Sequence, residues 1–279
     1  MPSSEAHLVR VKEALSSFGN DYRDAELMLL HCLGRDERSW LIAHGRDELS
    51  TDVIEAYSSM SAERLKGVPL PYLLGRREFW SLKLKITRDV LIPRPETELL
   101  VEWALDLTSR YDLESLVDLG TGSGAIALAV QHELPYLSVT ASDVSESALD
   151  VARENAEDLG LAVEFVKSSW FDALEHRRWA LIASNPPYVA ADDVHLQEGD
   201  LRFEPNTALI GGADGLSPIR EIASGAPNHL EEGGWLLIEH GYDQAADVRS
   251  IFELNGFSKV SLRHDLAGRP RVTGGCWQC

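Results

Sequence analysis

The chain has 279 residues, 44% of them hydrophobic and 25% charged, a soluble composition that leaves little room for long disorder and supplies one full α/β domain plus a smaller companion. A formal net charge of -19 repels phosphate backbones and disfavours naked nucleic acid as a partner. Three cysteines are too few for a disulfide framework and suit a reducing compartment, and with no basic leader and no apolar run long enough for a bilayer the expectation is a cytoplasmic protein without membrane attachment.

The first 67 residues have a helical pattern. Leu8, Val11, Leu15 and Phe18 recur at helical steps ahead of Gly19, and a second helix starts after Asn20 or Asp21 and carries Leu27, Leu30 and Cys32 toward Gly34. A third covers 39–44, and a fourth starts after Ser50 or Thr51 and ends at Gly67. Pro69 and Pro71 then interrupt helix formation, so residues 1–75 read as a small helical domain. Over 79–92 apolar side chains alternate around Leu82, Leu84 and Ile86 before a polar turn at Thr87, Arg88 and Asp89, so 76–92 reads as a β-hairpin linking two domains. At 93–98 prolines, Glu96 and Glu98 fall in the first turn of a helix that buries Leu99, Leu100, Trp103 and Leu107.

From residue 116 short apolar strands alternate with helical stretches, at 116–119, 137–141, 163–166, 180–183 and 235–238, the signature of βαβ units. Two more candidates, 258–262 and 270–276, are close enough to form an antiparallel hairpin at the sheet edge. Residues 93–279 are thus expected to form an α/β domain on a seven-stranded, mostly parallel sheet. Cys276 and Cys279 have redox or metal spacing but no second ligand pair, and no metal is expected.

The chemistry concentrates at two strand ends. Gly120, Thr121, Gly122, Ser123 and Gly124 follow a strand and precede a helix, where glycines let the backbone approach a ligand and aim N–H groups at it. Asp143 ends the next strand, where doubly wound folds place an acid on ribose hydroxyls; it could equally cap the helix that starts near Ser145. The fourth strand runs into Asn185, Pro186, Pro187 and Tyr188. An amide or aromatic amine nitrogen is a poor nucleophile because its lone pair is delocalised. Asn185 Oδ1 and the Pro186 carbonyl can each accept an N–H from such an NH2 group, the prolines fix those acceptors, and Tyr188 can pack on the planar group. Accepting both hydrogens orients the nitrogen and stabilises positive charge developing on it.

With these residues the sequence resembles the Rossmann-like class I methyltransferases that carry an Asn-Pro-Pro-Tyr motif. More narrowly it resembles the protein-(glutamine-N5) methyltransferases that modify peptide chain release factors. The resemblance covers nearly the whole chain and includes Gly-Arg-Arg-Glu-Phe-Trp at 75–80, Val-Leu-Ile-Pro-Arg-Pro-Glu-Thr-Glu at 90–98 and the block at 204–215. It implies S-adenosyl-L-methionine as cofactor, with S-adenosyl-L-homocysteine as product. Gly120 to Gly124 would line the methionine and ribose part of that site, Asp143 would hold the ribose and Trp170 would flank the adenine. Asn185 to Tyr188 would hold the glutamine of a Gly-Gly-Gln loop in a class I release factor, docked with help from the helical domain of a monomeric enzyme. The acidic segment 94–98 argues against the sister group that acts on a ribosomal protein, although Glu96 and Glu98 also suit a helix dipole. Other readings are an N-methyltransferase acting on an exocyclic amine of a nucleic-acid base, and a binding module without turnover.

Overall fold

The computed structural model describes residues 9–17 and 22–278. The chain divides into two compact units, Met1–Gly75 and Arg76–Cys279.

The first unit is helical: α1 (Val11–Ser17), α2 (Tyr22–Cys32), α3 (Arg38–Ala43), α4 (Thr51–Leu65) and α5 (Leu70–Leu74). Leu8 and residues 18–21, the ends expected for the first helix and the start of the second, lie outside the described residues. Val11, Leu15, Met28, Leu29, Leu41 and Tyr57 form its core, whereas Leu27 points outward. Arg64 near the end of α4 donates to Asp24 at the start of α2 at 2.6 Å, locking the two helices. Pro69 and Pro71 do not interrupt helix formation as expected. They open α5, with Pro71 in the first turn, where a missing N–H is no loss, and Gly75 closing it in the left-handed region at φ 67°.

The second unit opens with a hairpin of β1 (Arg76–Phe79) and β2 (Leu82–Lys85). Its turn is at Trp80 and Ser81, and the polar turn expected at 87–89 follows the second strand, with Val90 N donating to Thr87 O at 3.3 Å. Both residues have positive φ, 51° and 60°, a geometry that neither side chain advertises. Glu98 and Glu133 hold it by accepting the Trp80 main-chain and indole N–H groups at 3.0 and 2.8 Å. The hairpin packs on the sheet unit itself: buried Asn155 accepts Lys85 N at 2.6 Å and donates to Lys85 O and to Ser123 O at 3.1 and 2.9 Å.

After a 3-10 turn at Pro95–Thr97 come α6 (Glu98–Tyr111), β3 (Ser115–Leu119), α7 (Ala125–Glu133), β4 (Ser138–Asp143), α8 (Glu146–Leu159), β5 (Glu164–Lys167) and β6 (Trp179–Ser184). These are followed by α9 (Ser217–His229), β7 (Leu230–Glu239), α10 (Ala245–Leu254), β8 (Phe257–His264) and β9 (Pro270–Trp277). The seven strands are ordered β5-β4-β3-β6-β7-β9-β8, parallel from β5 to β7, with β9 antiparallel to both neighbours. The terminal hairpin is therefore inserted: β9 lies inside the sheet and β8 forms the edge. Cys279 lies outside the described residues, and with it the expectation about the Cys276 pair.

Strand β6 is buried at every position, and α7 is buried from Ala125 to Gln131, so the centre of the unit is apolar on both faces. Strand order reverses at β3, with β4 on one side and β6 on the other. The loops leaving β3 and β6 therefore diverge and open a crevice beyond their carboxyl ends.

Candidate active site

A cleft of about 190 Å³ occupies that crevice. Its floor is the loop 120–124, whose three glycines all have positive φ. Gly120 N and Thr121 N donate to Ser142 O at 2.8 and 2.9 Å, stitching the loop to the end of β4. Asp143 completes the seam: its two oxygens accept Gly122 N and Ser145 N, each at 2.9 Å. Capping of α8 falls to Ser145, whose hydroxyl accepts Ala148 N at 3.2 Å. Asp143 is thus free of that task, and each of its oxygens keeps a lone pair toward the cleft. Burial raises its pKa, against the opposing effect of the peptide N–H groups. Behind the loop, fully buried Asp118 accepts Thr121 Oγ1 at 2.6 Å and Ala127 N at 3.3 Å through Oδ2, while Oδ1 has no partner among the described residues. Burial pushes Asp118 up to about 7.

Trp170 walls one side. Its ring lies against Gly120, where a Cβ would stand 3.5 Å from it, and its indole N–H donates to Glu221 at 3.1 Å. The Ser168 hydroxyl donates to Trp170 O at 2.9 Å and accepts Ala173 N at 3.0 Å, holding the turn that gives Trp170 its φ of 45°.

Asn185, just past β6, walls the other side. Its Nδ2 donates to Thr97 Oγ1 at 3.1 Å, and its Oδ1 has no partner among the described residues. Glu239 is the buried last residue of β7. Burial pushes Glu239 up to about 7, against the pull of Thr97, Tyr188 and Arg271. The Tyr188 hydroxyl lies 3.4 Å from Glu239 Oε1, and burial raises its own pKa. Its ring is partly buried and packs against the core formed by β6, β7 and α9.

The segment 204–215 clamps the Asn185–Tyr188 loop from outside. Val189 N donates to Leu209 O and Gly211 N to Val189 O, at 2.9 and 2.8 Å, and Gln244 Nε2 donates to Tyr188 O at 3.0 Å. The approach excludes any side chain: a Cβ at Gly211 would lie 2.5 Å from Pro187 O, and one at Gly215 2.3 Å from Tyr188 O. Arg94 reaches across to buried Glu204 at 2.7 Å, tying the segments 90–98 and 204–215 together at this loop.

The cleft thus gathers Gly120, Thr121, Gly122, Ser123, Asp143, Trp170, Asn185 and Pro187. Thr97 and Glu239 were not singled out from the sequence. The first is flanked by two more conspicuous carboxylates, and the only signal for the second is an acid closing an apolar strand.

Over 276 residues the chain is 47% identical to the release factor glutamine methyltransferase of Xylella fastidiosa strain Temecula1, covering 99% of this chain and 98% of that one. The chain belongs to the release factor glutamine methyltransferase family. The Neisseria gonorrhoeae member is 49% identical over 251 residues, 89% of this chain and 91% of its own. A model of the methyltransferase small domain matches residues 95–200, which include the glycine loop and the Asn185 motif, and one of the PrmC N-terminal domain matches 7–75. The crystal structure of a Pyrococcus furiosus methyltransferase shares the fold, with a TM-score of 0.54 at 18% identity over 79% of this chain and 98% of that one. Membership in this family makes the chain an enzyme, a methyltransferase.

Proposed function

We propose that this family member transfers a methyl group from S-adenosyl-L-methionine to the side-chain amide nitrogen of the glutamine in the Gly-Gly-Gln loop of class I release factors, and that the cleft between Trp170 and Asn185 is where it does so. The observation that carries this reading is Asn185: with Nδ2 committed to Thr97, the side chain turns a bare carbonyl oxygen to the cleft, the group an incoming NH2 needs.

The cleft fits the cofactor. Asp143 is a buried acceptor for ribose hydroxyls, the glycine loop leaves room beside it, and Trp170 and Val144 give an apolar wall for a purine. When bound, S-adenosylmethionine supplies an electrophilic methyl group on a sulfonium centre. The chain's own residues then work on the nucleophile. Asn185 Oδ1 accepts one substrate N–H, and the Pro186 carbonyl, which no donor among the described residues reaches, accepts the other. Both acceptors carry partial negative charge and favour the geometry in which the nitrogen becomes positive as its bond to carbon forms. No strong base is required, because the proton leaves after charge has developed; positioning accounts for the rate.

Tyr188, the last residue of the motif, completes the holder of the substrate glutamine. The helical unit serves to dock the release factor, and the monomeric enzyme works in the cytoplasm with its substrate. No described helix is long and apolar enough to cross a membrane.

The test is transfer of labelled methyl to a purified class I release factor, beside a copy with the Gly-Gly-Gln glutamine replaced and beside bulk RNA. Label only on the intact factor is expected; label on RNA alone overturns the substrate assignment. Asn185→Ala is expected to lose transfer while retaining S-adenosylhomocysteine binding, and sustained turnover by that variant removes Asn185 from the mechanism.

A further inference from the structure

We propose that Asn155, a buried side chain in the middle of α8, is a positioning residue for the cofactor: it ties the far end of the glycine loop to the hairpin segment that also lines the cleft, and so keeps the cofactor site ordered before the ligand arrives. The inference rests on the reading of this cleft as the S-adenosylmethionine site. Asn155 does not itself line the cleft and acts through the two segments that do.

The glycine loop is held at two places. Its first half is stitched to the end of β4 through Ser142 O and Asp143. Its second half needs another partner, because the Ser123 carbonyl receives none from the helix that follows. Extending α7 backward would supply Ala127 N, four residues on, but that N–H donates to Asp118 Oδ2 at 3.3 Å. Asn155 fills the gap, its Nδ2 donating to Ser123 O at 2.9 Å. The next residue, Gly124, sits directly on the same face of α8: a Cβ there would stand 3.3 Å from the Cβ of Ala152, one turn before Asn155.

The same carboxamide holds the hairpin. Its Oδ1 accepts Lys85 N at 2.6 Å and its other Nδ2 hydrogen goes to Lys85 O at 3.1 Å, so both N–H groups and the carbonyl are engaged. Beyond Lys85 the chain turns, with Asp89 N on Thr87 Oγ1 at 3.2 Å and Val90 N on Thr87 O at 3.3 Å. It then enters the cleft, which Asp89, Val90 and Leu91 line together with Ser123. Ile86, Val90 and Ile92 are buried and anchor this segment. Asparagine is a poor choice for the middle of a helix, because its side chain competes for main-chain groups. Here the bonds run to partners 70 and 32 positions away, outside α8. Asn155 thus bridges two walls of the ligand site, and a buried polar group with every bond satisfied is rigid. Without the bridge the ligand itself must order both segments, at the expense of affinity.

The experiment compares the full-length enzyme with Asn155→Ala, Asn155→Leu and, as a control, Phe252→Leu, which loosens the buried contact between α10 and β9 and touches no residue of the cleft lining named here. Alanine favours the helix and leucine keeps the volume, so the two Asn155 variants share only the loss of the bridge. S-adenosylhomocysteine affinity is measured by calorimetric titration, methyl transfer to the release factor at varied S-adenosylmethionine, and stability by thermal melt. Both Asn155 variants are expected to weaken S-adenosylhomocysteine about 10- to 50-fold and to raise KM for S-adenosylmethionine in step, while kcat at saturating cofactor and KM for the release factor stay within about threefold. General destabilisation does the reverse: it lowers the active fraction and leaves KM alone. Phe252→Leu is therefore expected to lower Tm with cofactor affinity within about twofold of the parent. Asn155 variants that keep parental cofactor affinity and KM overturn the inference, as does a fall in kcat alone, or a Phe252→Leu variant that loses as much affinity. A parent that binds no S-adenosylhomocysteine refutes the reading of the cleft itself, whereas a parent and Asn155 variants that bind it equally well refute only the role of Asn155.

Discussion

Asp143→Asn tests the seam between the glycine loop and the cofactor site. In the parent, each carboxylate oxygen accepts one peptide N–H at 2.9 Å, one from Gly122 and one from Ser145. Asparagine retains one of these, and on the other side its NH2 meets a peptide N–H, donor against donor. An orphaned N–H in a half-buried position costs about 1–3 kcal/mol. Part is returned, because the neutral amide escapes the burial that raises the Asp143 pKa, so the fold should lose about 1 kcal/mol, or roughly 2–4 °C in Tm. Ligand binding gets no such relief, since the missing acceptor for a ribose hydroxyl counts only in the complex. The affinity for S-adenosylhomocysteine is expected to fall about 10- to 100-fold, on the basis of about 1.4 kcal/mol per tenfold. Calorimetric titration alongside a thermal melt resolves the two effects. A lowered Tm with a dissociation constant within twofold of the parent refutes the reasoning and reduces Asp143 to a loop staple.

Gly215→Ala drives a Cβ to 2.3 Å from Tyr188 O, and overpacking of this kind costs about 1–3 kcal/mol; the displaced Asn185 loop should lower kcat far more than cofactor affinity. Arg94→Met strands the buried Glu204 carboxylate at a cost of about 3–5 kcal/mol, and a thermal melt should show Glu204→Gln recovering much of it in the double variant. Asp118 and Glu239 both sit at about 7 in the folded chain, above their unfolded values. The native state therefore holds more protons, and their contribution to stability is complete below the ordinary carboxylate range and is lost as pH rises through about 7. Tm should fall between pH 5.5 and 8 less steeply in Asp118→Asn than in the parent, and identical slopes refute the assignment.

The α/β half of the fold was legible because its strands are short apolar runs flanked by turn residues. The run at 180–183 extends by one residue at each end to Trp179–Ser184. β7 begins five residues earlier than its apolar run, since Glu231, Glu232, Gly233 and Gly234 read as a turn; Leu230 still pairs with Trp179 across an irregular register. The hairpin turn at Trp80 and Ser81 was hidden for another reason. Its positive φ values are held by Glu98 and Glu133, partners that no local window contains. In the site, the residues of the glycine loop and of the Asn185 segment that line the cleft lie in compact motifs and could be read. Thr97, Glu204 and Glu239 act by contact with residues 88, 110 and 51 positions away in the cases of Asn185, Arg94 and Tyr188, and only the folded sheet brings them together.

The inserted position of β9 governs how the sheet is made. β7, apolar from Leu236 to Ile238 ahead of Glu239, gains its outer neighbour from Pro270–Trp277, which follows β8 in the chain. Until then a nascent chain that includes β8 has two unmatched strand edges and nothing to separate them, a template for pairing with another copy. The carboxyl end of β7 carries Glu239, opposite Val272, so that end of the strand is flanked only once β9 has paired. Synthesis and edge protection thus converge on the pairing of β9, and a nascent chain that stalls before residue 270 has the loop 120–124 but not the strand that flanks Glu239.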